Sequence, residues 1–524
     1  MPRMGNLAII LHSHIPYCRK SGVWPFGEEW VFEAMAETYI PVLDLVSSAW
    51  QARGSTSGAP FLTMSFTPVL AEQLADDYMK SRFLDYLEMR ALAAERDVER
   101  HEAAHDDARV GQARWFAAYY ARIKERFTGH YRCDLLSAVS RLATDGAVEL
   151  LATAATHAYL PLLGSAERVY TQISLGCEAC EHHFGVRPRG AWLPECGYRP
   201  GAVERALEAC GIQYFVVDTH AIAGGSPRNL YTDSPDEIEP QLPSMSTMRP
   251  YRLAGSKLSV FGRDESAAAQ VWSKDHGYPG DGDYREFHRR DEVSGLPYWR
   301  VTSKLLDLGQ KQLYNREAAI STVKGHAAHF AELVRGRLAK YSAASGGEGI
   351  VVAPYDMELF GHWWHEGVEW LAALIDIVES CGDVCPSTLG RHLELHPPTE
   401  EIAIPESSWG MGGKHAAWLN HETEWMWTSL LRAEKTGDEI AAGLDRLLGE
   451  ERETALQALR ELLLLEASDW PFLVTTGQAR EYAEERFAQH LADFQALTGK
   501  EGARALERAR GRDLVFDWVD GVKL

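Results

Sequence analysis

No apolar run in this chain approaches the roughly 20 residues needed to cross a bilayer, so no membrane-spanning helix is predicted. Positive charge is scarce too: 53 Lys and Arg stand against 75 Asp and Glu, a formal net charge of -22. Phosphate backbones and anionic lipid heads are bound through clustered Lys and Arg, so neither nucleic acid nor membrane is expected as a partner. The apolar stretch Leu7 to Leu11 is too short for a signal peptide and stops at His12 and His14. It reads as a first buried strand, and a cytoplasmic location is expected. The 8 cysteines are scattered, without the dense spacing of a disulfide scaffold, and reduced thiols follow as the default. Cys177-Glu-Ala-Cys180 precedes His182 and His183, but a structural zinc site wants four ligands and no second CxxC pair exists. No internal repeat or low-complexity tract is present.

What is present is a globular chain of 524 residues with 45% hydrophobic content, enough for one large barrel domain with additions. Strand-like apolar runs occupy 6 to 12, 61 to 66, 148 to 155, 190 to 194, 213 to 218, 257 to 261 and 349 to 353, with helical segments between several of them. That alternation predicts a parallel barrel or open sheet. A helix is expected over 28 to 50, where Glu28 and Glu29 suit its positive end. Residues 70 to 145 are charge-rich and nearly free of Gly and Pro, and read as a helical insertion. Two stretches, 223 to 250 and 272 to 292, are rich in Gly, Pro, Ser and Asp and read as loops over a cleft, where Tyr231, Trp272, Tyr278 and Tyr284 favour binding. Beyond 395 the pattern becomes helical, as in Ala455 to Leu465, giving a C-terminal helical domain over 396 to 524 beside a catalytic domain over 1 to 395.

The strand ends carry the chemistry. Barrel enzymes place working residues at the C-terminal ends of their strands, and here those ends present His12 and His14, Thr156 and His157, Glu195 and Tyr198, Asp218 and His220, and Asp356 with His362. A single such residue is more often a cap or a core group; their recurrence favours one shared cleft. Glu195 and Asp356 each close an apolar run amid Trp and Tyr, a setting that tunes a carboxyl's pKa and defines a catalytic acid pair. Which of the two is the nucleophile is symmetric at this level. A His-x-His such as His12 to His14 also occurs in metal-dependent deacetylases.

Five ordered segments carry a resemblance: His12-Ser-His14-Ile-Pro-Tyr17; Ala155-Thr156-His157-Ala-Tyr-Leu-Pro; Trp192-Leu-Pro-Glu195-Cys-Gly-Tyr198; Pro354-Tyr-Asp356-Met-Glu-Leu-Phe-Gly-His362-Trp-Trp; and Ser408-Trp409-Gly-Met-Gly-Gly with Trp418-Leu-Asn420. Over nearly its whole length the chain resembles glycoside hydrolase family 57, and within it the 1,4-alpha-glucan branching enzymes. The resemblance implies an incomplete (β/α)7 barrel with a helical insertion and a C-terminal all-helical domain completing the cleft. It implies a retaining mechanism, with Glu195 as nucleophile and Asp356 as proton donor and acid/base. The reaction implied is cleavage of an alpha-1,4 glucan and transfer to a 6-hydroxyl, the branching step of glycogen biosynthesis, with alpha-1,4-glucan as donor and acceptor and no cofactor or metal. Trp24, Trp272, Trp409 and Trp418 can stack on glucose rings, and His12, His14 and His157 can bond sugar hydroxyls or position Glu195, with His362 as a further contact. The resemblance assigns substrate contacts to Arg263, Gly280, Trp409, Asp469 and Gln478, matches Trp24, Trp409 and Trp418 to the branching pattern, and makes Tyr231 the candidate gating tyrosine. An alpha-amylase or a 4-alpha-glucanotransferase on the same scaffold is the sister reading, and a non-catalytic glucan-binding protein would require the loss of a carboxylate that is present here.

Overall fold

The computed structural model describes residues 3–54, 60–224, 245–273, 276–500 and 502–519. Among these residues ten strands form one sheet: β1 (Gly5–Ser13), β2 (Leu62–Phe66), β3 (Val148–Ala152), β4 (Gly190–Ala191), β5 (Tyr214–Val217), β6 (Tyr251–Leu253), β7 (Ser259–Gly262), β8 (Gly349–Asp356), β9 (Val384–Pro386) and β10 (Glu401–Ile402). Seven of them, in the order β7-β5-β4-β3-β2-β1-β8, pair in parallel and curl into the incomplete (β/α)7 barrel expected from the sequence. No ladder joins β7 to β8 among the described residues; the gap is spanned instead by a hydrogen bond from the Asp264 amide to the Val352 carbonyl at 2.8 Å. β9 pairs with residues 5–7 of β1, filling the edge below the point where β2 begins. β6 runs antiparallel to β7 and takes β10 on its other side.

β1 shows why these strands read as unbroken apolar runs: all nine of its residues are buried, because a parallel strand is covered on both faces. Leu7, Ile9 and Leu11 pack outward against the surrounding helices, while Ala8 and Ile10 point into the barrel. That interior is continuous with the helical C-terminal region, since Ala8, Ile10, Trp192 and Val352 share one apolar cluster with Trp409, Trp418, Leu462 and Trp470. The helices after residue 423 therefore cap the barrel mouth by burying apolar surface against it.

The helix expected over 28 to 50 is interrupted. Glu28–Ala34 and Ile40–Arg53 are α-helical, but Met35–Tyr39 forms a π-turn, an insertion that helices adopt mostly where function requires it. Residues 68 to 144 are helical, led by the paired long helices Asp77–Ala103 and Asp107–Glu125. Among the described residues of 272 to 292, Trp272 ends a helix and Tyr278–Gly280 forms a short turn, yet the tyrosines here are core residues: Tyr278 and Tyr284 are buried and bonded to His329 and His326. Tyr231 lies outside the described residues. No helix among the described residues is long and apolar enough to cross a membrane.

Candidate active site

The two carboxyls arrive by different routes. Asp356 is the last residue of the eight-residue β8, and the β1 ladder sets it directly beside His12. Glu195 follows a strand of only two residues and sits on the tight turn Pro194–Cys196 with φ 61° and ψ 23°. A residue with a Cβ pays for that left-handed backbone with conformational strain, and such strain is held where surrounding contacts over-determine it. Here the contacts come from the segment between β10 and the C-terminal helices: the Trp409 amide donates to the Glu195 carbonyl at 3.0 Å, and the Trp409 indole N–H donates to Glu195 Oε2.

A chain of histidines lines the floor beside the pair. His12 bonds Ser65 through Nδ1 at 3.2 Å and meets His157 through Nε2 at 3.1 Å, while His157 Nδ1 bonds Ser468 at 2.8 Å. Burial holds both His12 and His157 well below the usual imidazole range, and neighbouring His14 adds to the effect. They are therefore neutral, one donating to the other. The His14 ring stacks on His157 at 3.9 Å between ring centres and holds Thr67 at 3.0 Å and Asp469 at 2.9 and 3.1 Å. Asp469 is the first residue of the helix Asp469–Thr476, whose cap position is Ser468, so its side chain serves His14 rather than the helix end. On the opposite side, Arg263 follows β7 and pairs with Asp218 at 2.6 Å, with its guanidinium 5.6 Å from the centre of the Trp409 ring. The Arg263 cation and His220 hold the Asp218 carboxyl below its ordinary value against the opposing effect of burial. Two guanidinium nitrogens of Arg263, Nε and Nη1, are buried without a partner.

Burial raises both acids. The Glu195 carboxyl is pushed up to about 8, with the Trp409 hydrogen bond opposing and Asp356 and Asp469 reinforcing the rise. Asp356 is pushed up to about 7, with His14 and Arg263 opposing. Taken singly, these values leave the last proton on Glu195. The Trp409 indole N–H, which donates and never accepts, favours the ionised form of Glu195 and is what keeps that value from rising further.

Eight of the residues singled out in the sequence thus converge: Glu195, Asp356, His12, His14, His157, Arg263, Trp409 and Asp469. The others lie apart from these contacts. Trp418 is fully buried and stacks on Tyr159 at 4.0 Å. His362 bonds Glu37 at 2.7 Å in a cluster with Glu33 behind the Asp356 turn. Trp272 packs near Trp363 with 6.3 Å between rings, Trp24 is 77% exposed, and Gln478 is exposed between two helices. Gly280 closes a turn where an added Cβ would lie 2.1 Å from Lys304 Cε. Sequence reading missed Glu358, whose carboxylate accepts from Tyr39 on the π-turn and from the His14 amide at 3.2 Å. It also missed Thr67, Ser65 and Ser468. A polar residue two positions after Asp356 was a visible signal for Glu358; the hydroxyls carried none.

A pair of half-buried carboxyls at the mouth of an incomplete barrel, ringed by Trp, His and Arg, is the arrangement of a glycan-cleaving enzyme of the two-carboxylate class. The profile of glycosyl hydrolase family 57 matches residues 8–405, and that of the 1,4-alpha-glucan branching enzyme C-terminal region matches residues 429–521. The chain belongs to glycoside hydrolase family 57. It is 42% identical over 540 aligned residues to the 1,4-alpha-glucan branching enzyme of Thermococcus kodakarensis, covering 98% of this chain and 77% of that one. Among solved structures it is similar to the family 57 branching enzyme of Pyrococcus horikoshii, at 38% identity and a TM-score of 0.88, covering 99% of this chain and 96% of the other. It is also similar to the alpha-amylase AmyC of Thermotoga maritima, at 29% identity and a TM-score of 0.82, covering 99% and 98%.

Proposed function

We infer that the protein is a 1,4-alpha-glucan branching enzyme in which Glu195 is the nucleophile and Asp356 the general acid/base. Asp356 gives its proton to the glycosidic oxygen as Glu195 attacks the anomeric carbon, and the bond to the departing chain breaks. Asp356, now ionised, takes the proton of an acceptor 6-hydroxyl, whose oxygen displaces Glu195 and forms the alpha-1,6 bond. Both displacements occur at the same carbon, so configuration is retained. Retention needs the two carboxyls roughly 5 to 5.5 Å apart.

One observation carries the reading: the region after the barrel supplies working groups to the pair, Trp409 to Glu195 and Asp469 to His14. Transfer rather than hydrolysis depends on excluding water and admitting a second sugar, and a cleft walled by two domains is suited to both. Arg263 and His157 are assigned to sugar hydroxyls, with Trp24, Trp272 and Gln478 as outer contacts along the glucan. The working division of the chain stays near residue 395, with β10 reaching back into the sheet from beyond it. Eight free cysteines support a reducing, cytoplasmic setting.

The similarity to AmyC favours a second reading, hydrolysis or alpha-1,4 transfer on the same scaffold. Linkage analysis of amylose after incubation with the protein separates them. New alpha-1,6 linkages that debranching enzyme releases as short chains are the expected result; shortened linear chains alone would sink branching.

A further inference from the structure

Strand register secures Asp356 from one side only. β8 pairs with β1 up to His12, but no ladder joins β8 to β7 among the described residues. The chain beyond Asp356 makes the short turn Met357–Leu359 and folds back on itself, with the Trp364 amide donating to the Leu359 carbonyl and the Gly361 amide to the Trp364 carbonyl, both at 2.8 Å. The π-turn Met35–Tyr39 meets this folded loop at three points. Tyr39 donates its hydroxyl to Glu358 Oε1, and Glu37 Oε2 holds His362 Nδ1 at 2.7 Å. The third point is main chain against main chain: Gly361 has φ 107°, and an added Cβ would stand 1.9 Å from the Glu37 carbonyl oxygen, so only glycine permits the approach.

The π-turn is braced in its own right. The Ala36 carbonyl accepts from the Tyr119 hydroxyl at 2.8 Å, which ties the turn to the insertion helix Asp107–Glu125. Glu33, on the preceding helix, lies 3.8 Å from His362 Nε2 and 3.8 Å from Arg290. Burial opposes a charge on His362, but the Glu37 bond and the two carboxylates outweigh it and raise the imidazole above its ordinary value, so the contact is charge-assisted. On the other side, Glu358 Oε1 also accepts from the His14 amide at 3.2 Å, and Ser13 Oγ donates to Met357 Sδ at 3.3 Å. The loop after Asp356 is thus tied to the π-turn behind it and to the end of β1 beside it, from which His14 follows.

We propose that Tyr39, Glu358, Glu37 and His362 are positioning residues that hold Asp356 and its neighbour His14 in working geometry, with the π-turn as the clamp; this rests on Asp356 being the general acid/base. Proton transfer to a glycosidic oxygen requires hydrogen-bond reach, and a displacement of about 1 Å in such a site can cost on the order of a hundredfold in rate. The clamp supplies the restraint that a second strand partner would give. It also accounts for a π-turn in this helix, since such insertions are rare and occur mostly at functional sites.

Two reactions of the full-length protein test the clamp. Cleavage of amylose draws a proton from Asp356, whereas reaction of a maltooligosyl alpha-fluoride with azide draws none, because fluoride leaves unprotonated and azide attacks without a base. In Tyr39→Phe, which removes only a hydroxyl, and in Glu358→Ala, kcat on amylose is expected to fall roughly 10- to 100-fold with KM changed less than about twofold. Fluoride release in azide should stay within about twofold of the unmodified protein in both. Glu358→Gln, which keeps an acceptor oxygen for Tyr39 and the His14 amide, should recover part of the rate lost in Glu358→Ala. Equal losses in the two reactions, no recovery in Glu358→Gln, or an unchanged amylose rate in Tyr39→Phe and Glu358→Ala would overturn the clamp alone, provided that Asp356→Asn loses amylose cleavage and keeps the fluoride reaction. If Asp356→Asn loses both reactions alike, the role of Asp356 falls and the clamp falls with it.

Discussion

Asp356 and Glu195 perform a paired task from opposite kinds of scaffold. Asp356 stands at the end of an eight-residue strand whose register with β1 fixes its position through main-chain hydrogen bonds. Glu195 stands on a left-handed turn after a two-residue strand, and a tryptophan distant in sequence, Trp409, holds it there. Asp356 is placed by strand register, whereas Glu195 is also held by a residue 214 positions further along the chain.

The most damaging changes test whether the two positions are both indispensable. Glu195→Gln and Asp356→Asn each keep size and remove the charge, and each is expected to lower kcat on amylose at least about a thousandfold. Azide separates the roles: it attacks the anomeric carbon without needing a general base, so with Asp356→Asn it should displace Glu195 from the glycosyl-enzyme and give a glycosyl azide of retained configuration, whereas any azide product of Glu195→Gln should be of inverted configuration. The opposite pattern of configurations reverses the assignment.

A smaller effect probes the dependence of Glu195 on the second domain. Trp409→Phe keeps the ring but removes a hydrogen bond to a carboxylate, worth about 1.5 to 3 kcal/mol, and is expected to cost roughly 10- to 100-fold in kcat. That bond favours ionised Glu195, so its loss should move the acid limb of the pH–rate profile to higher pH. Asp469→Asn acts in the other direction: its charge raises the Glu195 pKa, so removing it should move the acid limb lower. Shifts of the same sign in both variants would contradict a direct electrostatic link between the helical domain and the nucleophile.

How much of this was legible in the sequence follows the same contrast. Strands β1, β2, β3, β5, β7 and β8 were visible because parallel strands buried on both faces read as unbroken apolar runs, and the run at 190 to 194 marked the place of the two-residue β4. β9 and β10 are three and two residues long, below the length at which periodicity exists, and β6 spans only Tyr251–Leu253. The π-turn at Met35–Tyr39 changes no residue pattern; it adds one residue to a helical turn and brings Glu37 and Tyr39 to the Asp356 loop. Glu195 and Asp356 stood out because a carboxyl closing an apolar run is conspicuous. The pairings Trp409 with Glu195 and Asp469 with His14 join residues far apart in the chain, and only family resemblance, not local pattern, flagged Trp409 and Asp469.

Glu358 gives the mildest and most discriminating test of the strand-borne side. It is buried, and burial, reinforced by Asp356, pushes its carboxyl up to about 8 from an ordinary 4.5. A carboxyl that binds its proton more tightly when folded stabilises the protein fully below the unfolded value, and that stability is lost as pH rises through the folded one. Between about pH 5 and pH 8 the native state holds the proton and the unfolded state does not, so the unfolding free energy should fall as pH rises across that window. Glutamine is neutral throughout and its amide oxygen can accept from both Tyr39 and the His14 amide. Glu358→Gln is therefore expected to flatten the decline by a few kcal/mol at most, with stability near pH 5 little changed. Chemical denaturation at several pH values measures it. An unchanged slope would mean that Glu358 ionises freely where it stands, and that the strand end bearing Asp356 is wetter than its packing implies.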